Sequence, residues 1–446
     1  MTQKLHIGID DTDSIKGGCT TYIGALIVEE ILKDNNIRFL DYPNLIRLNP
    51  NIPWKTRGNG AIALRMEVED KNMIEGIKDR VIEKVVENSW LEDENTEPTI
   101  ALLEGFVPME LKKFMFKSLR ETVSIELAEK IARKYNIEII TLKGKRGIIG
   151  AISAIGGILP DEKYTFELLA YRKKENYGKP REIDKKSIYE MDKIISPYTF
   201  NNIDYKAKRI LITPRGPDPV LFGIRGETPE ILLQAFKKII VYEPIERWII
   251  YKTNQGTDLH YKKVKRIKEI KSYDSIRMIC KIHSKIRVIK GGHLIFTITD
   301  GKDEIDCAIY EPAGKLRNIA KQLLPGDIIE IFGAAKETTK DKKTLNIEKL
   351  FIKNLIKYTI KEKPKCPICG SPMKNEGKNK GFECKKCKYK VKIGKIEKEI
   401  PREIINGIHI PSQKSHRHLL KPMIRYEIKI GEWPNIMTKK WYGTNI

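Results

Sequence analysis

The sequence predicts a multidomain chain: an α/β (α+β) module, then an OB-fold β-barrel, then a zinc ribbon. Three observations predict it. Strand-like and helix-like apolar patterns alternate over residues 1–265. Short β segments with one helix between the third and fourth strands fill residues 275–354. Two Cys-x-x-Cys knuckles follow. At 446 residues the chain has room for about three domains of roughly 150 residues each.

In the first module, Leu5-His-Ile-Gly-Ile makes a short strand that runs into an acidic loop, and residues 21–32 read as an amphipathic helix. Residues 61–68 alternate as a strand, 72–88 and 123–135 have helical periodicity, and 137–142 and 164–171 read as further strands. Such alternation implies sheets covered by helices, here two small ones. Thr213-Pro-Arg-Gly-Pro-Asp-Pro is too rich in Pro and Gly for either element and is an ordered loop.

The texture then changes. Residues 276–282, Ile286-Arg-Val-Ile, 294–298 and 304–310 are short β segments, with Asp300-Gly301 marking a hairpin turn. A helix over 316–324 and strands over 328–332 and 344–351 complete the OB order. A Lys-rich linker at 358–365 leads to the cysteines. The tail beyond Pro401 carries Trp433 and Trp441 in no readable pattern.

Composition narrows the function. Hydrophobic residues make up 41% and charged residues 32%, a folded rather than disordered balance. A mean hydropathy of −0.40 and the lack of an apolar run of about 18 residues exclude a membrane span. The N-terminus has no signal-peptide stretch, so a cytoplasmic protein is expected. Lys and Arg number 83 against 59 Asp and Glu, a net charge of +24. A thermophile bias would add Glu along with Lys and leave that net small, so the excess points to a polyanion such as nucleic acid.

Of seven cysteines, Cys366, Cys369, Cys384 and Cys387 form two knuckles 14 residues apart. Two tight turns of paired thiolates complete a tetrahedral S4 site for Zn²⁺, structural because no position stays open for water. Lys361, Lys363, Lys365, Lys385, Lys386, Lys388 and Lys390 surround it, with Phe382 and Tyr389 interleaved. Cations for phosphates and aromatics for bases suit RNA, with Lys385, Lys386, Lys388 and Tyr389 the candidate contacts. An ordinary solvated lysine face is the bland alternative.

Gly8-Ile-Asp10-Asp11-Thr12-Asp13-Ser14 leaves the first strand, and Gly17-Gly18-Cys19-Thr20-Thr21 opens the first helix. Three carboxylates in four residues repel one another unless a cation such as Mg²⁺ sits between them, and Mg²⁺ also bridges nucleotide phosphates. The glycines let backbone N–H groups approach an anion at the helix start. Two further Gly-rich basic loops are candidate phosphate holders: Lys143-Gly-Lys145-Arg146-Gly147 with Ile148-Ile149-Gly150 and later Gly156-Gly157, which resembles a phosphate-facing turn, and Arg215-Gly216-Pro217-Asp218-Pro219 followed by Gly223-Ile-Arg225-Gly226. The bland reading of each is a tight structural turn. No Walker A loop, Ser-Gly-Gly-x-Asp-Ser loop or dinucleotide fingerprint occurs, so any ATP site is of an unusual kind.

Gly8-Ile-Asp-Asp-Thr-Asp-Ser with Cys19-Thr20-Thr21, Lys145-Arg-Gly-Ile-Ile-Gly-Ala, and Gly216-Pro-Asp-Pro-Val-Leu-Phe-Gly-Ile-Arg-Gly together resemble the archaeal tRNA(Ile) 2-agmatinylcytidine synthetase family. The resemblance covers nearly the whole chain. It implies a kinase-like catalytic domain (1–125), a ferredoxin-like domain with returning catalytic loops (126–265), an OB-fold (272–355), a zinc ribbon (362–395) and a C-terminal tail (396–446). It implies that ATP phosphorylates the C2 oxygen of the wobble cytidine, position 34, in an isoleucine tRNA with a CAU anticodon. Agmatine's amine then displaces the phosphate, and the modified anticodon reads AUA. On this chain Asp10, Asp11 and Asp13 match the family's catalytic, metal-binding aspartates, and Thr20 its autophosphorylated threonine. ATP and its phosphates would lie among Gly17, Gly18, Thr21, Lys145, Arg146, Arg215, Asp218 and Arg225.

Two other readings stay open on the residues alone. One is a non-enzymatic single-strand binder built from an OB-fold and a zinc ribbon, which gains nothing from clustered carboxylates. The other is an ATP-dependent tRNA modifier that uses a different amine.

Overall fold

The computed structural model describes residues 2–160, 163–339, 342–377, 380–428 and 437–444. The first strand, β1 (Gln3–Asp10), shows how its sequence builds the site. Leu5, Ile7 and Ile9 point into the main core with α1 (Thr20–Ile31) and α2 (Met73–Asn88). Alternation sends His6, Gly8 and Asp10 to the other face. β2 (Ile37–Phe39) and β3 (Asn44–Arg47) follow, and both pair with β4 (Gly60–Val68). β4 repeats the pattern, with Ile62, Leu64 and Met66 on the α1 face and the smaller Ala61 and Ala63 opposite.

Small residues are needed there because a buried helix lies close. After β5 (Thr99–Glu104), α3 (Met109–Arg120), α4 (Ile125–Lys134) and β6 (Glu138–Thr141) comes α5, Gly147–Gly156. A Cβ on Gly8 would lie 2.0 Å from the Ala151 carbonyl oxygen, so glycine alone permits this approach. From sequence, this segment belongs to a phosphate-facing turn; in the structure it is a helix. Its three glycines lower helix propensity, and burial on nearly every side outweighs that.

The second half contributes β7 (Thr165–Arg172), α6 (Lys185–Ile195), β8 (Thr199–Phe200), a small hairpin of β9 (Ile203–Asp204) and β10 (Arg209–Ile210), β11 (Val220–Gly226), α7 (Pro229–Phe236) and β12 (Ile245–Thr253). The expected two small sheets are one. Among the described residues the order β6-β5-β1-β4-β3-β12-β7-β11-β8 is continuous within an 11-stranded sheet. The join is a short parallel pairing, Lys252 opposite Asn44 and Thr253 opposite Leu45, which no local pattern announces.

β13 (Lys262–Lys263) leads into the barrel of β14 (Ser275–Ile282), β16 (Leu294–Thr299), β17 (Glu304–Ile309), β18 (Ile328–Thr339) and β19 (Lys342–Asn354), with β15 (Arg287–Val288) at its edge. β14 pairs with both β16 and β18, and β17 lies parallel to β19, which closes the OB order. The helix α8 (Lys315–Ala320) sits between the third and fourth barrel strands, and Gly301 turns the expected hairpin at φ +91°.

The supposed linker is instead a strand, β20 (Thr359–Glu362). It pairs with β24 (Ile396–Glu399) as a two-stranded stalk under the ribbon strands β21 (Lys374–Asn375), β22 (Phe382–Glu383) and β23 (Lys390–Val391). The tail then returns to the body of the molecule. β25 (Gly407–His409) joins β19, a short α9 (Ile424–Glu427) follows, and β26 (Tyr442–Thr444) joins β12. Trp441 is buried in the main core, whereas Trp433 lies outside the described residues.

Candidate active site

β1 ends by delivering the acidic loop to a cavity of about 430 Å³. Asp11 takes a left-handed backbone, φ +59°, which Asp tolerates better than most residues. Asp10 lies against α5 at Gly150, where a Cβ would stand 1.7 Å from Asp10 Oδ2. Asp11 Oδ2 accepts from Arg146 Nη2 at 3.0 Å and Nε at 3.2 Å. Asp13 accepts from Arg57 at 2.8 and 3.0 Å and from Thr56 Oγ1 at 2.9 Å. Arg57 also reaches Asp218 Oδ2 at 3.3 Å, tying the acidic loop to the 213–219 loop.

Asp10 alone of the three has no ion pair among the described residues. Burial and the neighbouring Asp11 charge push its carboxyl well above the usual range. Burial also pushes Asp11 up to about 6, against the pull of Arg146. At the head of α1, Thr12 donates to Thr20 Oγ1 at 3.0 Å, and both Thr20 and Thr21 line the cavity.

Glu167, on β7, is 2% exposed and accepts from Arg225 Nε at 3.0 Å, with Arg47 Nη2 at 3.9 Å. Gln255 bonds its other oxygen and also meets His418 Nδ1 at 2.9 Å. The Arg47 charge, burial and the Arg225 charge hold His418 well below the usual imidazole range, so it is neutral here. In the ribbon, the four cysteine Sγ atoms lie within 4.8 Å of one another. That matches Zn²⁺, whose Zn–S bonds of about 2.3 Å imply S···S separations of about 3.8 Å.

Domain profiles match four stretches of the chain between residues 6 and 404. Residues 6–144 match the TiaS TCKD domain and 145–260 the TiaS FLD domain. Residues 279–352 match an OB-fold nucleic acid binding domain and 363–404 the TiaS C-terminal zinc ribbon domain. The chain is 44% identical to TiaS of Pyrococcus horikoshii, an isoleucine-tRNA 2-agmatinylcytidine synthetase, over 94% of this chain and 97% of the relative. The chain belongs to the TiaS family.

Its backbone is similar to solved TiaS structures. A complex of TiaS with its isoleucine tRNA and ATP has a TM-score of 0.85 at 35% identity, covering 96% of this chain and 98% of that one. A complex of TiaS with the same tRNA, AMPCPP and agmatine has 0.82 at 33% identity, with the same coverage.

Of the residues singled out from the sequence, Asp10, Asp11, Asp13, Thr20, Thr21, Arg146, Asp218 and Arg225 line the cavity. Gly17 and Gly18 do not line it but shape the loop behind. A Cβ on Gly17 would meet the Trp90 ring at 2.6 Å, and Gly18 has φ +74°. Lys145 lies off the cavity, exposed, with Nζ 2.9 Å from Glu129. The N–H groups of Lys145 and Arg146 donate to Glu97 Oε2 at 2.7 and 2.8 Å, so a carboxylate occupies the turn expected to face phosphate. Arg215 is exposed and also outside the lining. Among the described residues the three aspartates do not form a closed metal cage, since only the cysteines bring three or more ligand atoms together.

In the ribbon, Lys385, Lys386 and Lys388 lie on the surface around the knuckle, whereas Phe382 is buried beneath the cysteines and Tyr389 packs against that core. Phe382 therefore holds the ribbon together and is not available to stack on a base. Sequence reasoning missed Arg47, Trp54, Arg57, Glu167 and His418. The Thr56-Arg57-Gly58-Asn59-Gly60 run has the same basic, Gly-rich texture as the two loops singled out from the sequence. His418 carries no local signal.

Proposed function

We propose that this chain is the ATP-dependent ligase that joins agmatine to C2 of the wobble cytidine of an isoleucine tRNA with a CAU anticodon. The observation that carries this reading is the cavity. It gathers Asp10, Asp11, Asp13 and Thr20 from one family domain with Arg146, Asp218 and Arg225 from the next, and it leaves Asp10 without a counter-charge.

An amide-like carbonyl at C2 is a poor electrophile, and phosphorylation makes its oxygen a leaving group. The amine's nitrogen then bonds C2, the C2–O bond breaks and phosphate departs with the oxygen. Such transfers need charge neutralisation and positioning more than a covalent nucleophile. Arg57, already bridging Asp13 and Asp218, and Arg146, on Asp11, hold the loops at fixed spacing around the phosphates. Thr20, its oxygen bonded by Thr12 at the helix start, is the residue that takes a phosphoryl group. The proton that the attacking ammonium must lose leaves with the departing phosphate.

Mg²⁺ fits this site in its usual manner, on one or two carboxylates plus substrate phosphates, with Asp10 and Asp11 as the protein ligands and phosphate charge neutralisation as its contribution. The four ribbon cysteines hold structural Zn²⁺. Among the described residues no helix is long and apolar enough to cross a membrane, and a tRNA substrate suits a cytoplasmic enzyme. A non-enzymatic strand binder would have no use for the cavity.

The test pairs mass spectrometry of nucleosides, after incubating unmodified tRNA with ATP and agmatine, with tRNA affinity. Asp11→Asn keeps size and turn chemistry, so tRNA binding is expected to survive. Incorporation is expected to fall roughly 100- to 1000-fold, as for loss of a well-placed electrostatic group. Near-normal incorporation by Asp11→Asn would refute the assignment.

A further inference from the structure

Trp54 lines the cavity and yet is 45% exposed. Among the described residues its ring partner is Tyr273, edge-on at 5.9 Å and 73°, which leaves a face of the indole unused. An uncovered indole at the mouth of a polar cavity adds little to packing and is suited to a flat π-surface.

Its position is defined by three parts of the chain. The loop between β3 and β4 is stapled to the start of the barrel: Asn49 Nδ2 donates to the Tyr273 carbonyl at 2.9 Å, and Asn51 Nδ2 to Ser275 Oγ at 2.7 Å. From the tail, Arg417 Nη1 donates to Asn51 Oδ1 at 2.5 Å and pairs with Glu348 at 2.9 Å. Trp54 therefore stands at the seam between the catalytic sheet and the OB barrel. On the tRNA-modifying reading, RNA held on the barrel would cross this seam to put a base into the cavity.

The neighbouring charge has the sign RNA requires. Lys55 donates to the Arg57 carbonyl at 2.8 Å and has no ion pair among the described residues. Burial and the charges of Arg417 and of Lys336 on β18 lower its pKa. Cations of the tail and the barrel thus act on Lys55, the residue next to Trp54. Lys55 has no carboxylate partner of its own among the described residues, and a phosphodiester would relieve that arrangement.

We propose that Trp54 is a base-stacking platform for a nucleotide flanking the wobble cytidine, with Lys55 on the adjoining phosphate. This rests on the tRNA-modifying reading above and extends it to how the anticodon is held open. Taking one base out of a stack leaves its neighbours exposed, and an indole replaces the lost stacking partner.

The test uses the full chain and tRNA carrying 2-aminopurine at position 33 or 35, whose fluorescence is quenched by stacking. Wild type and Trp54→Phe should quench one of the two probes on binding, and Trp54→Leu should not. Trp54→Leu should raise the KM for tRNA by roughly 5- to 100-fold. Its KM for ATP should stay near wild type, and Trp54→Phe should recover most of the loss. Wild type that incorporates agmatine but quenches neither probe overturns the proposal, and this arm needs no variant to fold. Equal tRNA KM for Trp54→Leu and wild type, or no rescue by Trp54→Phe, overturns it as well. Wild type with no agmatine incorporation at all would instead refute the functional reading beneath it.

Discussion

His6 shows how one side chain on the α5 face of β1 links the site's scaffold to pH. Its Nε2 lies 3.0 Å from the Gly105 carbonyl, and its Nδ1 3.4 Å from Arg65, itself buried. Burial first, then the Arg65 charge, lowers the imidazole to about 4 from 6.5. Between those values the unfolded chain binds a proton that the native chain refuses. Stability is therefore lost as pH falls from about 6.5 and levels off below about 4. The loss from this group over the whole window is about 3 kcal/mol. Denaturant titrations at pH 7 and pH 4.5 should show a larger drop for wild type than for His6→Gln. Equal drops would mean that the imidazole is charged in the native state.

At the scale of an element, α5 is the part that positions the acidic loop, and two glycines, Gly150 on it and Gly8 facing it, make opposite predictions. Replacing a mid-helix Gly with Ala ordinarily stabilises by about 1 kcal/mol. At Gly150, though, the new Cβ would stand 1.7 Å from Asp10 Oδ2, the end of a movable side chain. Gly150→Ala should keep the wild-type melting temperature within a few degrees and lose agmatine incorporation as Asp10 swings away. At Gly8 the obstacle is backbone, the Ala151 carbonyl oxygen at 2.0 Å, which cannot step aside. Gly8→Ala should lower stability by about 1–3 kcal/mol or more, as overpacking does. A melting series with incorporation assays on both variants separates the two outcomes.

At the scale of the whole molecule, the ribbon is an appendage and the tail after it is not. Thr359 lies opposite Glu399 in the stalk, so the two strands leading into and out of the ribbon are adjacent. Excising residues 363–395 and closing the gap with a short turn should leave the melting temperature nearly unchanged, abolish zinc binding and weaken tRNA affinity. Ending the chain at residue 404 is a different operation. It removes β25 from the barrel and β26 from the large sheet, and it leaves buried Glu227 without Arg425. Stranding one partner of a buried ion pair costs about 3–5 kcal/mol by itself. The truncated protein should aggregate or melt far below wild type. If both shortened proteins melted alike, the tail would be as dispensable as the ribbon.

What was legible in the sequence was whatever neighbours in the chain decide among themselves. Carboxylates at 10, 11 and 13 must repel wherever they sit, and alternation in residues 5–9 or 276–282 specifies a strand without help from distant residues. Cys-x-x-Cys spacing makes a turn on its own, and the Asp300-Gly301 turn closes its own hairpin. Those signals, with the family's motifs, were enough for the domain classes and for the aspartates, Thr20, Arg146, Asp218 and Arg225 in the cavity. The tertiary structure decided the rest, because it turned on contacts between residues far apart. α5 is a helix only because neighbouring strands and helices bury it on nearly every side, which overrides its glycines. One sheet forms instead of two because β3 happens to lie against β12. Lys145 faces away from the cavity because Glu97 takes its N–H and Glu129 its ammonium, and His418 enters because the tail folds back across the whole body. Local chemistry marked the candidate groups, and long-range packing chose which of them share a cavity.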